Sequence, residues 1–285
     1  MDNMNLVSDM IGSILDSLPR PDYPVSFIPS GFPSLDQLTN GLETSSLITV
    51  IARPGMGKTS FALDLASYAG MLGRKVIYFS YEMSKDEILF RLLSKLSFVP
   101  ASYIRLLSQS DDDTEWQRLI TAAEALYKTK IYINNNPANT VEDIREICSQ
   151  IDNIGLICVD YFQLVGSRAC YPTAKDVSSY VSRMLKRTAE ENKAPVICLA
   201  QLPRSVEKRA DKRPVLADLE GIHASMLALD SDVVIGLYRD AYYNFGSPRN
   251  WAEAIILKNN WGALGTAKLG WNDVCASFYT VKSKL

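Results

Sequence analysis

Lys58 and Thr59 stand near the end of the segment Ile51-Ala52-Arg53-Pro54-Gly55-Met56-Gly57-Lys58-Thr59-Ser60, which leaves an apolar run and enters a helical pattern. That combination suits phosphate binding. Gly55 and Gly57 allow backbone N–H groups to turn inward around an anion at a helix N-terminus. Lys58 then reaches the β- and γ-phosphates, and the Thr59 hydroxyl is placed for Mg²⁺. Ala52 stands where the general phosphate-loop pattern has its first glycine.

Three more apolar runs end in a polar side chain. Leu156-Ile157-Cys158-Val159 closes on Asp160, a carboxylate of the kind that holds the Mg²⁺ water shell in phosphate-loop enzymes. The run ending at Ser80 leads through Tyr81 to Glu82, which can polarise an attacking water. Leu199-Ala200 leads to Gln201, an amide suited to sensing the γ-phosphate. A lone carboxylate at a strand end is usually a turn residue or a solvated group. Strand ends carrying Lys/Thr, Glu, Asp and Gln in one chain point instead to hydrolysis of a nucleoside triphosphate.

Such groups must be brought to one edge by the elements that carry them. Strand patterns cover Leu47–Ala52, Lys75–Ser80, Lys130–Ile133, Gly155–Val159 and Ala194–Ala200. Helical patterns fall between them, near 59–71, 84–97, 114–128, 140–152 and 176–192. Strands that are apolar throughout and separated by helices predict an α/β fold with a mainly parallel central sheet covered by helices. The tail changes rhythm: Val233–Leu237, Ala252–Leu257, Thr266–Leu269 and Ser277–Thr280 read as added antiparallel strands joined by turns. Ahead of all this, Leu6, Val7, Met10, Ile11, Ile14, Leu15 and Leu18 are spaced as one apolar stripe of a helix. Prolines 19, 21, 24 and 29 follow and predict an extended tether. The expected organisation is an amphipathic linker helix over 1–20, a Pro-rich tether over 21–30 and a catalytic domain over 31–285.

Bulk properties narrow the setting. The net charge of −2 over 285 residues argues against a generally basic nucleic-acid binder and leaves room for a local positive cluster. No apolar run reaches 18 residues and no secretory leader is legible, so a cytoplasmic protein without a membrane span is expected. Five cysteines without CxxC spacing and a single histidine, His223, make a zinc site a poor reading. Cys158 and Cys198 sit inside apolar runs as small core residues.

Taken in order, several segments resemble DnaB-type replicative DNA helicases, in their carboxyl-terminal RecA-like ATPase domain. They are Ser30-Gly31-Phe32-Pro33-Ser34-Leu35-Asp36, Ala52-Arg53-Pro54 through Thr59, Tyr81-Glu82-Met83-Ser84, Asp160-Tyr161-Phe162-Gln163-Leu164, Ala200-Gln201-Leu202 with Arg204, Asp211-Lys212-Arg213-Pro214 and Leu237-Tyr238-Arg239-Asp240. The resemblance spans roughly residues 30–280 and accounts for Ala52 as that family's own loop variant. It implies a RecA-like P-loop NTPase that uses ATP and Mg²⁺ to drive 5′→3′ unwinding. It also implies a hexameric ring on single-stranded DNA, with residues 6–18 docking on the next subunit. By the same resemblance, Lys58 and Thr59 bind phosphate and metal, Glu82 activates water and Asp160 supports the metal. Gln201 couples the γ-phosphate to DNA-facing loops, and Arg91 lies near the nucleotide. A primase, a loader or a full-length helicase are the partners it suggests.

Two segments depart from the family. Its trans-acting lysine and arginine finger correspond to Lys258 and Asn260 in Lys258-Asn259-Asn260-Trp261-Gly262. An arginine finger is worth roughly 10³ to 10⁵ in rate, so slow hydrolysis is expected unless Lys258 or Arg249 supplies the charge. The DNA loop reads Glu220-Gly221-Ile222-His223-Ala224-Ser225, without the family's arginine. There the backbone N–H groups of Glu220, Gly221 and Ile222 are the expected phosphate contacts. Arg204, Lys208, Arg209, Lys212 and Arg213 form a positive cluster, with Arg204 and Arg209 expected on DNA. The family's amino-terminal collar domain is expected to be missing. The alternative reading is a helicase-like ATP-binding protein with weak turnover, acting as a scaffold or as a partner of another helicase.

Overall fold

The computed structural model describes residues 27–104, 113–222 and 224–281. The expected helix over 6–18, most of the tether and His223 lie outside them. Residues 27–30 are tied to the domain body: β1 (Phe27–Ile28) pairs with β2 (Leu42–Glu43), and Ser30 N donates to Asp36 Oδ1 at 3.0 Å. Between them runs the short helix α1 (Pro33–Thr39).

Five strands match the sequence pattern closely: β3 (Leu47–Ala52), β4 (Lys75–Ser80), β5 (Lys130–Asn134), β6 (Ile154–Asp160) and β7 (Val196–Gln201). With β8 (Val233–Tyr238), β9 (Trp251–Asn259), β10 (Gly265–Asn272) and β11 (Ser277–Thr280) they build one nine-stranded sheet, ordered β11-β10-β9-β8-β3-β7-β6-β4-β5. Strands β8 through β5 in that order are mutually parallel, and β9, β10 and β11 add antiparallel pairs.

β3 lies in the middle of the sheet and is buried at all six positions. Ile48, Val50 and Ala52 pack into one core beneath α2 (Lys58–Met71) and α3 (Lys85–Ser97), with Phe61, Leu65, Ile88 and Leu92. Leu47 and Ile51 face the other core, beneath α6 (Val141–Ser149) and α7 (Ala174–Asn192). Alternate side chains of a strand serve opposite faces, so only a strand apolar at every position can be covered on both. Between α3 and α6 lie the single turn α4 (Ala101–Ile104) and α5 (Asp113–Tyr127).

One expectation is refined. Val233–Tyr238 pairs antiparallel to β9, Val233 opposite Asn259, as the tail pattern suggests, but its other edge pairs parallel to β3, Ile48 opposite Val233. The crossover from β7 consists of two short 3-10 turns, Arg204–Lys208 and Leu216–Ile222, and the six-residue helix α8 (Ser225–Asp230). None is long enough to show a helical repeat in sequence. Cys158 and Cys198 are buried as core residues. Among the described residues, no helix is long and apolar enough to cross a membrane.

Candidate active site

Parallel strands deliver their carboxyl ends to one edge of the sheet, where crevices form. Ala52 of β3 is level with Gln201 of β7, and Ser80 of β4 is level with Asp160 of β6. The loop Arg53–Gly57 leaves β3 at this edge and turns into α2 with Gly57 as its N-cap. Gly55 and Gly57 have φ of +79° and +97°, the left-handed region that glycine enters without strain. Space is short as well. A Cβ on Gly57 would come within 3.0 Å of the Phe278 and Trp271 rings, and one on Gly55 within 2.8 Å of Tyr242. α2 therefore points its first N–H groups into the crevice with no side chain at the cap to satisfy them.

The crevice holds a cavity of about 320 Å³, lined by the loop together with Lys58, Thr59, Ser60, Glu82, Arg91, Asp160 and Gln201. Lys58 Nζ donates to Ala52 O at 3.1 Å, and an ammonium has three hydrogens, so donors are left for a ligand. Burial, helped by the Arg53 charge, lowers Lys58 to about 8 against the opposing pull of Asp160 and Glu82. Asp160 is buried, and burial raises its carboxyl above the usual range. The Thr59 and Tyr78 hydroxyls and the Lys58 charge oppose that rise, while Glu82 adds to it. Tyr78 donates to Asp160 Oδ2 at 2.8 Å. Glu82 and Arg91 are exposed at the rim. Glu82 is held there by the turn into α3, where Ser84 and Glu87 form a capping box. The Gln201 backbone is clasped by Gln163, which donates to its carbonyl at 2.8 Å and accepts from its N–H at 3.3 Å.

These residues fit a nucleoside triphosphate with Mg²⁺. A helix N-terminus with free N–H groups and a half-buried ammonium suit polyphosphate. Thr59 beside Asp160 offers the few hard oxygens that Mg²⁺ takes while keeping most of its waters.

Other expected site residues lie elsewhere. Ala52 and Met56 are buried under the loop. Arg53 turns away from the cavity: Nη1 donates to Leu202 O at 2.6 Å, and Nε and Nη2 reach Glu207 Oε1 at 3.0 and 2.8 Å. Arg209 is clamped to Asp218 at 2.7 and 3.1 Å, and Arg204 is exposed on the 3-10 turn it begins. Glu220, Gly221 and Ile222 close the second 3-10 turn, outside the cavity. Lys258 lies level with Val234 at the opposite edge of the sheet, donating to Ala228 O and Leu229 O.

The structure adds residues that sequence reasoning misses. Trp271, Tyr161 and Ala276 line the cavity. Arg239 stacks on Trp271, 4.0 Å from its ring centre, and donates to Gly55 O at 3.0 Å. Arg239 stands within the motif Leu237-Tyr238-Arg239-Asp240, but nothing in the chain's order links it to a loop at Gly55.

Comparison with known proteins agrees with this geometry. Residues 27–280 match the family described as the DnaB-like helicase C terminal domain. The replicative DNA helicase DnaB of Geobacillus stearothermophilus is 38% identical over 261 residues, which is 90% of this chain and 57% of that protein. The chain thus spans little more than half of that longer relative. One solved structure, described as an ATPase domain, superposes with a TM-score of 0.91 at 30% identity, covering 98% of this chain and 100% of that one. A DnaB-like replicative helicase, solved in a study of its interactions with primase, gives 0.88 at 30% identity, over 99% of this chain and 68% of that one. With a phosphate loop, a RecA-like parallel sheet and a family match over nearly its whole described length, the chain belongs to the DnaB-like helicase C-terminal domain family.

Proposed function

We propose that this chain is an ATP-hydrolysing motor that drives 5′→3′ unwinding of DNA during replication, acting on single-stranded DNA as a hexameric ring. The observation that carries the reading is the meeting of Lys58, Thr59, Glu82, Asp160 and Gln201 around one cavity at the carboxyl edge of the sheet. Lys58 and the loop N–H groups grip the β- and γ-phosphates. Thr59 and Asp160 would hold Mg²⁺, which would neutralise charge on the phosphates. Glu82, exposed at the rim, orients the attacking water, and Arg91 approaches the nucleotide from the same side.

Gln201 is the last residue of β7, and the next segment carries Arg204 and, beyond it, the loop Glu220-Gly221-Ile222. We assign the single strand to that side, with phosphates held by loop N–H groups and by Arg204. Arg209 serves the same surface indirectly, by fixing the loop through Asp218. Lys258 lies at the edge away from its own cavity, a position suited to reaching a neighbouring copy. A primase is the first partner to test, and a cytoplasmic setting follows from the role.

One observation favours a second reading, a helicase-like ATP-binding protein of weak turnover that partners another helicase. Asn260, in the finger position, is bonded to its own domain at Asp232. Unwinding of a forked duplex in the presence of ATP separates the two. Strand separation that needs a 5′ tail supports the motor. Nucleotide binding without unwinding, together with binding to a full-length helicase, supports the alternative.

A further inference from the structure

Tyr78 occupies a position in β4 that packing alone would fill with an aliphatic side chain. It is fully buried, and the strand around it is apolar. Its partner across the sheet is Cys158 of β6, so Asp160 is the diagonal neighbour on the same face. With parallel strands about 4.8 Å apart and a rise of about 3.3 Å per residue, the diagonal position lies about 8 Å away, a span that a tyrosine carries its hydroxyl across. The hydroxyl arrives at Asp160 Oδ2 with a separation of 2.8 Å. A buried phenol needs a partner, and a buried carboxylate needs donors; each supplies the other.

We propose that Tyr78 is a positioning residue of the ATP site, whose hydroxyl pins the Asp160 carboxylate from the core side and reserves its remaining lone pairs for Thr59 and the Mg²⁺ water shell. The proposal rests on the ATPase reading given above. Without the hydroxyl, Asp160 keeps its place in the strand but gains freedom to rotate, and the site would offer Mg²⁺ a less fixed carboxylate. The effect belongs to the metal-dependent part of the reaction. Phosphate gripping by Lys58 and the loop is left intact.

The test is Tyr78→Phe, which removes one oxygen and keeps the ring. Hydrolysis is followed against Mg²⁺ concentration at saturating ATP, and binding of a fluorescent ADP is measured in EDTA. The expected result is a fall in kcat and a rise in the Mg²⁺ requirement, each about tenfold, as for loss of a hydrogen bond to a charged group. Metal-free ADP affinity is expected to stay unchanged. Phe79→Leu, which loosens the other face of the same strand, is the control: it should lower the melting temperature and leave the Mg²⁺ curve in place. An unchanged Mg²⁺ curve in Tyr78→Phe, or an equal shift in Phe79→Leu, overturns the proposal while the ATPase reading stands. Wild-type protein with no Mg²⁺-dependent hydrolysis overturns the ATPase reading, and this proposal with it.

Discussion

Asn260 is bonded twice to Asp232: its backbone N–H donates to Asp232 O at 2.9 Å, and Nδ2 donates to Asp232 Oδ1 at 3.3 Å. Asp232 is itself buried, accepts from Leu47 N at 2.9 Å and pairs with Lys186 at 2.8 Å. The side chain at the finger position is therefore spent on the start of the central strand. Asn260→Arg keeps the backbone bond and loses only the longer one, at a cost of about 1 kcal/mol in stability. Under the ring reading it supplies a trans charge, and DNA-stimulated turnover should rise at least about tenfold. Steady-state phosphate release at equal protein concentration checks this. Unchanged turnover would show that another group already fills the role.

Arg53 is the buried link between the phosphate loop and the segment after β7. Glu207→Ala leaves that guanidinium with a carbonyl partner, Leu202 O, and no carboxylate. Glu207 is itself partly exposed, so we expect a loss of about 2 kcal/mol, in the range for hydrogen bonds to charged groups. Nucleotide affinity should weaken as the loop loosens. Urea denaturation with and without ADP measures both effects, and a variant as stable and as tight-binding as wild type would contradict the link.

Asp64 of α2 is buried beneath the β10–β11 hairpin, accepting from Phe278 N at 2.7 Å and pairing with Lys95 at 2.5 Å. Burial pushes its carboxyl up to about 6, and Lys95 and the Phe278 N–H offset only part of that. A carboxyl raised in the folded state holds its proton more tightly there than in the unfolded chain. Its stabilisation is present below the ordinary value and is lost as pH rises through 6. Asp64→Asn does not titrate. The stability of this variant relative to wild type should therefore rise by roughly 1 kcal/mol between pH 5 and pH 7. Denaturation midpoints at the two pH values test it, and a difference that falls or stays flat would contradict the burial argument.

Much of the site is legible in the sequence because its carriers are buried strands. A run such as Leu47–Ala52, apolar at every position, has few places to go except the middle of a covered sheet, and the residue that ends it then lies at the reactive edge. That rule locates Asp160 and Gln201, which end β6 and β7, and points to Glu82 two residues past the end of β4. It does not show the parallel pairing of β8, because the helical pieces of that crossover, of 5, 7 and 6 residues, are each too short to carry a helical repeat. It is silent on contacts between distant parts of the chain. Arg239 under Gly55, Phe278 on Asp64 and Tyr78 on Asp160 depend on which strands become neighbours, and no local pattern encodes that. Arg209 and Arg53 show a further limit. Charge places both in a functional region, yet the carboxylates that occupy them, Asp218 and Glu207, become visible only in three dimensions.

Steady-state ATP hydrolysis with and without single-stranded DNA, for wild type and Lys58→Ala, tests the central claim most directly. Mg²⁺-dependent turnover is expected that single-stranded DNA stimulates and that Lys58→Ala abolishes, with its fold intact by circular dichroism. Turnover that survives Lys58→Ala, or its complete absence in wild type at every DNA and Mg²⁺ concentration, would contradict it.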